Sequence, residues 1–156
     1  MIENGINKEF IKNDKTHNQK RIKLTIMCMI YKDDGSFLVL NRLKQDWPGL
    51  TFPGGHVEDD ELITDAVPRE MKEETGLEVS NIEPCGYYEW NELGDDVRHL
   101  AMLFRTKSYK GEIKSSKEGD IFFIKEEDLE KYPLSNDFLK IYKKLKWKAR
   151  NSHLFS

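Results

Sequence analysis

The sequence predicts an α/β sandwich, a mixed sheet flanked by helices. Short apolar runs rich in β-branched residues recur along it, and three stretches have helix-like rather than strand-like spacing. A length of 156 residues, with 38% hydrophobic and 34% charged content, suits one globular domain with a real core.

The elements follow in order. Residues 1–21 are polar and weakly periodic, and read as a flexible arm, leaving 22–156 as a single domain. The arm lacks the apolar segment of a signal peptide, and no later run approaches the roughly 18 apolar residues of a membrane span, so a cytoplasmic chain is expected. "IKLTIMCMIYK" and "FLVLNRL", joined by "DDGS", predict a hairpin of strands. A loop, "KQDWPGLTFPGG", comes next. Helical spacing runs from Leu62 to Thr75, and Gly76 stands where a helix end wants a residue tolerant of positive φ. Strand-like runs follow near 82–92, 97–107 and 121–124. Two helix-like pieces, "KEEDLEKY" and "NDFLKIYKKLKW", close the chain, the second with Phe138, Leu139, Tyr142 and Leu145 at apolar spacing. Cys28 and Cys85 sit singly in apolar runs without metal-site spacing and read as reduced core residues. A net charge of −3 gives no footprint for a nucleic-acid polymer, so any polyanion must be held locally.

Charge is locally concentrated. Residues 54–79 hold nine acidic and two basic side chains. At about 100° per residue, Glu70, Glu73 and Glu74 fall within an arc of about 100°, so three carboxylates can point at one volume. Ile63, Val67 and Met71 lie about 20°, 60° and 100° from Glu70, so Glu70 and Glu74 share the arc through which the helix buries its apolar side. Crowded, desolvated carboxylates need compensating cations, and a hard divalent ion with oxygen ligands supplies them best. The other reading is a solvated acidic face, in which Arg69 pairs with Asp65 and Glu73 along the helix.

Gly55, Glu61, Arg69, Glu70, Met71, Glu73, Glu74, Gly76 and Leu77 satisfy the pattern G-x5-E-x7-R-E-U-x-E-E-x-G-U, where U is a bulky aliphatic residue. The stretch resembles the Nudix box. Seven fixed residues at roughly 7% frequency each match by chance on the order of once in 10⁸ starting points. The resemblance extends from about residue 22 to about 140 and implies a Nudix-type α/β/α sandwich. It also implies hydrolysis of a nucleoside diphosphate linked to another group, the diphosphate being held by Mg²⁺, or Mn²⁺ in its place. Glu70, Glu73 and Glu74 match the family's metal-binding glutamates, a carbonyl at Gly54 matches a further ligand, and Glu61 and Arg69 match the residues that brace the site. Which carboxylate acts as base varies among members.

Weaker matches point to the mutator-type nucleoside triphosphate pyrophosphohydrolases. Glu118, in a K-E-G segment before a strand, resembles the loop glutamate that adds a metal ligand or the base. Asn136 resembles the Asn that reads an oxidised guanine, and also suits a helix N-cap. Arg42 resembles a phosphate-contacting Arg. Trp47 and Phe52 are candidates for base stacking or for core, and His56, after the glycine pair, for contact with phosphate; His17, His99 and His153 have no ligand partners at useful spacing. The resemblance thus implies conversion of a nucleoside triphosphate such as 8-oxo-dGTP to its monophosphate and pyrophosphate, by a monomer or homodimer acting on a small-molecule nucleotide. ADP-ribose or a nucleotide-sugar is the competing substrate class, and a nucleotide-sensing module the non-catalytic alternative. Two positions depart from expectation. Asp60 stands where the family usually has Gly, and Pro68 falls inside the helix, so that the helix is expected either to begin late, near Thr64, or to kink before Glu70.

Overall fold

The computed structural model describes residues 21–43, 48–92, 94, 96–114, 117 and 119–154, without the side chains of 147–154. The expected arm therefore lies outside the described residues except for Arg21, which opens the first strand. The strands are β1 (Arg21–Ile30), β2 (Phe37–Arg42), β3 (Gly49–Thr51), β4 (Gly54–His56), β5 (Glu78–Ser80), β6 (Glu83–Asn91), β7 (Val97–Thr106), β8 (Ser108–Lys110) and β9 (Gly119–Ile124). Helix α1 (Ile63–Thr75) lies between β4 and β5, and α2 (Phe138–Leu154) ends the described chain. "KEEDLEKY" forms a 3-10 helix over Glu126–Lys131.

The sheet is mixed, as expected. β1 runs parallel to β7 from Arg21↔Val97 to Ile30↔Thr106, inside a four-stranded sheet of order β4-β1-β7-β6. A second sheet has the order β3-β2-β9, and β5 pairs with β8. β1 and β2 carry near-continuous apolar runs because both faces are covered. Ile26, Cys28, Ile30, Leu38 and Leu40 pack towards Ala66, Val67 and Met71 of α1. Met29, Phe37 and Val39 pack on the other side, with Phe138, Ile141, Tyr142 and Leu145 of α2. Helix, sheets and helix thus form the three layers. Leu139 is 55% exposed, and Ile141 takes the core position that spacing assigned to it. Cys28 is fully buried, but Cys85, at a bulge in β6, is only half-buried.

The predicted hairpin does not form. A Tyr31↔Phe37 bridge and the Lys32 N–H donating to the Ser36 carbonyl close the "DDGS" turn, with Asp34 accepting from the Ser36 N–H at 2.9 Å. Beyond the turn, β1 and β2 enter different sheets, because each finds longer-range partners on both of its edges. Among the described residues no helix is long and apolar enough to cross a membrane.

Helix α1 starts at Ile63, one residue before Thr64, so the late start holds and Pro68 is the sixth residue, in the second turn. Pro68 has no N–H for the Thr64 carbonyl, yet the helix continues unbroken to Thr75. Gly76, at φ 83°, ends it with its N–H on the Lys72 carbonyl, as the sequence predicts. Thr75 Oγ1 donates to the Met71 carbonyl and accepts from the Leu77 N–H, fixing the exit into β5. Among the described non-glycine residues only Asn81 and Asp137 have positive φ, so Asp60 turns the chain without left-handed strain.

Candidate active site

The glycine pair positions the acidic helix. β4 is an edge strand, and the residues that flank it, Pro53 through its carbonyl and Val57 through its N–H, bond inward to Cys28 and Leu24 of β1. The alternate residues, Gly54 and His56, therefore present both their backbone polar groups outward, towards α1. The Gly54 N–H donates to Glu74 Oε2 at 3.1 Å, and the His56 carbonyl accepts from Arg69 Nη2 at 3.0 Å. The Gly54 carbonyl faces the same outward side. Gly55 lies directly under Glu70: a Cβ there would sit 2.3 Å from the Glu70 Cδ. The box glycine is thus the floor on which the first glutamate rests.

Arg69 is the hub. Its Nε and Nη2 donate to the two Glu61 oxygens at 2.5 and 2.7 Å, a bidentate clamp. Its Nη1 donates to Glu70 Oε1 at 2.9 Å and Glu73 Oε2 at 3.1 Å. The guanidinium holds the Glu61 carboxyl below the usual carboxylate range. Burial pushes Glu70 upward despite the same Arg69 contact. The carboxylates share one cleft, and Arg69 pairs along the helix with Glu73, though its stronger partner is Glu61 rather than Asp65.

In this arrangement the glutamates are tied to protein donors, and among the described residues no three acidic, His or Cys side chains converge enough to hold an ion. Glu70, with a side chain 15% exposed, is held against Gly55 and Arg69, while Glu73, at 61%, is held among the described residues by Arg69 alone and stands more open to solvent. The donors lining the cleft are mostly oxygens, the carboxylates of Glu58, Glu70, Glu73 and Glu74 and the outward Gly54 carbonyl, with the His56 imidazole at the open end, a set that suits a hard divalent cation.

The acidic cleft continues into a groove. Arg42, Gly54, Gly55, His56 and Glu74 line both the acidic end and a middle section. Met27, Thr51, Phe52 and Trp90 line both that middle section and an apolar end, where Tyr88, Asn136 and Asp137 are found. One channel therefore runs from the glutamates past Arg42 to an aromatic recess. Arg42 lines the middle section, and its Nε is buried without a hydrogen-bond partner among the described residues.

The remaining candidates fall as follows. Phe52 is 3% exposed and stacks on Phe138 at 4.7 Å, so its ring face belongs to the core and only its edge reaches the groove. His56 is exposed at the acidic end. Asn136 is exposed in the recess and is not the helix cap; Asp137 stands between it and Phe138, where α2 begins. Trp47 and Glu118 lie outside the described residues, as do His17 and the side chain of His153; the next residue, Gly119, opposes Arg42 across β2 and β9. His99 is buried in β7 and stacks on Trp90. The sequence reading missed Tyr88 and Trp90; the alternation in "YYEWN" places them on one strand face, but not on which side of the sheet.

Comparison with known proteins agrees with this geometry. The NUDIX domain family matches residues 21–147. The chain is 32% identical over 125 residues to the ADP-ribose pyrophosphatase of Methanocaldococcus jannaschii, covering 76% of this chain and 71% of that protein. It is 31% identical over 131 residues to the nucleoside triphosphatase NudI of Escherichia coli, covering 71% and 88%. In fold it resembles a MutT NUDIX hydrolase from Burkholderia pseudomallei, with a TM-score of 0.71 at 19% identity over 80% of this chain and 98% of that one. With the box intact, its glutamates gathered on one cleft and the match spanning nearly all of the described residues, the chain belongs to the Nudix hydrolase family.

Proposed function

We propose that the protein is a Mg²⁺-dependent pyrophosphohydrolase that converts a nucleoside triphosphate, such as 8-oxo-dGTP, to its monophosphate and pyrophosphate. The observation that carries this reading is the continuous groove, with glutamates at one end, Arg42 in the middle and an aromatic recess with Asn136 at the other. Its order is that of a polyphosphate followed by a base. Glu70, Glu73, Glu74 and the Gly54 carbonyl would hold the divalent ion, which when bound neutralises phosphate charge and lowers the pKa of water. Mn²⁺ would fit the same oxygen donors. Glu118 would add a ligand or the base.

The residues of the chain then do the following. Arg42 steadies a phosphate from the side opposite the helix, and His56 contacts another at the open end. Glu61 fixes the Arg69 fork, and Arg69 in turn sets the orientation of Glu70. A carboxylate, Glu70 or Glu118, accepts the proton of the attacking water. The water oxygen bonds to phosphorus as the bridging P–O bond breaks, and the departing pyrophosphate keeps the bridging oxygen and its electron pair. Phe52 closes the groove wall, and Trp47 is a candidate to cover the base. The substrate is a small-molecule nucleotide and the expected compartment the cytoplasm.

A second reading, ADP-ribose hydrolysis, is favoured by the M. jannaschii relative. A sensing module that binds without turnover is disfavoured by intact Glu70, Glu73 and Glu74. The test is to incubate the protein with Mg²⁺ and separate panels of 8-oxo-dGTP, normal dNTPs, NTPs and ADP-ribose, and to resolve the products by chromatography. Preferred release of 8-oxo-dGMP and pyrophosphate supports the first reading. Cleavage of ADP-ribose alone replaces it with the second, and tight binding with no product points to sensing.

A further inference from the structure

In the recess, the Trp90 Nε1–H is buried and has no hydrogen-bond partner among the described residues. Buried indole N–H groups ordinarily find an acceptor, and one left without costs free energy. The indole stacks on His99 at 5.0 Å and on Tyr88 at 6.2 Å between ring centroids, so its edge rather than its ring face is what it offers a ligand. Trp90 and Asp137 line the same recess. The Asp137 carboxylate accepts from the Tyr88 hydroxyl, lies 3.8 Å from Lys140 Nζ, and is about one-third exposed. The recess thus offers a donor-only group at depth and an acceptor-only group nearer its rim.

We infer that Trp90 is a specificity-determining residue that selects a 6-oxopurine over a 6-aminopurine, its Nε1–H donating to the exocyclic keto oxygen while Asp137 accepts from the adjoining ring N–H. This rests on the nucleoside triphosphate reading and names the base within it. The exocyclic atom projects furthest from the purine ring, so it is the atom that reaches the buried donor. An exocyclic amine in the same place would set N–H against N–H and leave both unsatisfied. Sites built to hydrogen-bond a substrate group discriminate strongly against analogues that lack it.

The test pairs a substrate series with a variant. kcat and KM are measured with dGTP, dITP (keto oxygen and ring N–H kept, 2-amino group lost), 2-aminopurine deoxyribotriphosphate (2-amino group kept, keto oxygen and its adjoining ring N–H lost) and dATP, for the wild type and Trp90→Phe. The wild type is expected to favour dGTP and dITP over the other two by about tenfold or more in kcat/KM, mainly through KM, because the contact is remote from the reacting phosphorus. In Trp90→Phe the advantage of dGTP over 2-aminopurine deoxyribotriphosphate should shrink by at least about threefold, the remainder coming from the ring N–H that Asp137 accepts. An unchanged ratio in the variant, or a wild type that prefers dATP, overturns the inference while leaving triphosphate hydrolysis intact. Absence of turnover with every triphosphate overturns the functional reading and this inference with it. If Trp90→Phe fails to fold, the wild-type series alone decides, since loss of the keto oxygen must still cost about tenfold.

Discussion

Gly55→Ala separates the catalytic role of the glycine pair from its structural one. The new methyl would lie 2.3 Å from the Glu70 Cδ and 2.3 Å from Oε2. Ordinary van der Waals contact begins more than 1 Å further out, so the carboxylate must retreat by about 1 Å. The clashing atoms are the end of a side chain that can rotate, and Gly55 does not hold positive φ, so its backbone tolerates alanine. The fold then loses little: about 0.5–1.5 kcal/mol for the Arg69–Glu70 hydrogen bond, against about 0.4–1 kcal/mol gained by restricting the unfolded chain. Tm should move by no more than a few degrees. Activity should behave differently, because a displacement of about 1 Å in a reacting group costs on the order of 100-fold in rate. Steady-state kcat on the substrate found by the nucleotide panel, with Tm measured in parallel, provides the assay. Gly54→Ala is the contrast: its methyl would meet the Ile26 carbonyl oxygen at 2.0 Å, a backbone atom that cannot rotate away, so β4 must part from β1 and Tm should collapse. A Gly55→Ala enzyme with kcat within threefold of wild type would refute the claim that Gly55 sets the position of Glu70.

Pro68→Ala should raise Tm, since alanine restores an N–H for the Thr64 carbonyl, a change worth up to about 3 kcal/mol in a helix interior; kcat should stay within about threefold, because Arg69, Glu70, Glu73 and Glu74 all follow the proline. In chelator, Glu61 contributes stability that is complete above its unfolded pKa, near 4.3, and is lost as pH falls through its lower folded value, because the folded carboxyl holds its proton less tightly. Glu61→Gln should therefore flatten the fall of Tm between about pH 5 and 3, and an unaltered slope would show that the Arg69 clamp is not the source. Asn136→Ala should raise KM for the preferred nucleotide with kcat retained, as expected for an exposed residue at the end of the groove remote from the glutamates.

The box was legible because helix geometry is local. Spacing alone set Glu70, Glu73 and Glu74 on one arc, and Gly76 and Leu77 mark the helix end that the structure has. What spacing could not supply is which partner each charge takes. Arg69 reaches Glu61, eight residues away on the approach to the helix, more closely than it reaches Glu73, its neighbour on the helix itself. The recess was illegible for a related reason: Tyr88 and Trp90 come from a half-exposed strand, and only pairing of β6 with β7 and the arrival of α2 decide that they face Asn136 and Asp137.

The one strand pairing that failed is the one on which the site depends. A turn as strong as "DDGS" argues for a hairpin, yet turn chemistry specifies only the reversal, whereas pairing is settled by everything else that competes for the strand edges. β1 gives one edge to β7 over ten residue pairs and the other to β4; β2 gives its edges to β3 and β9. Had β1 and β2 zipped together, the edge of β1 that holds Gly54 and Gly55 would have been occupied. Because they part, Thr25 and Met27 of β1 face Leu40 and Arg42 of β2 across open space, and the glycine pair enters as β4 at the mouth of that gap. The groove that joins the glutamates to the aromatic recess is thus the space left between two sheets, and the residues that line it owe their meeting to long-range pairing rather than to the turn that joins their strands.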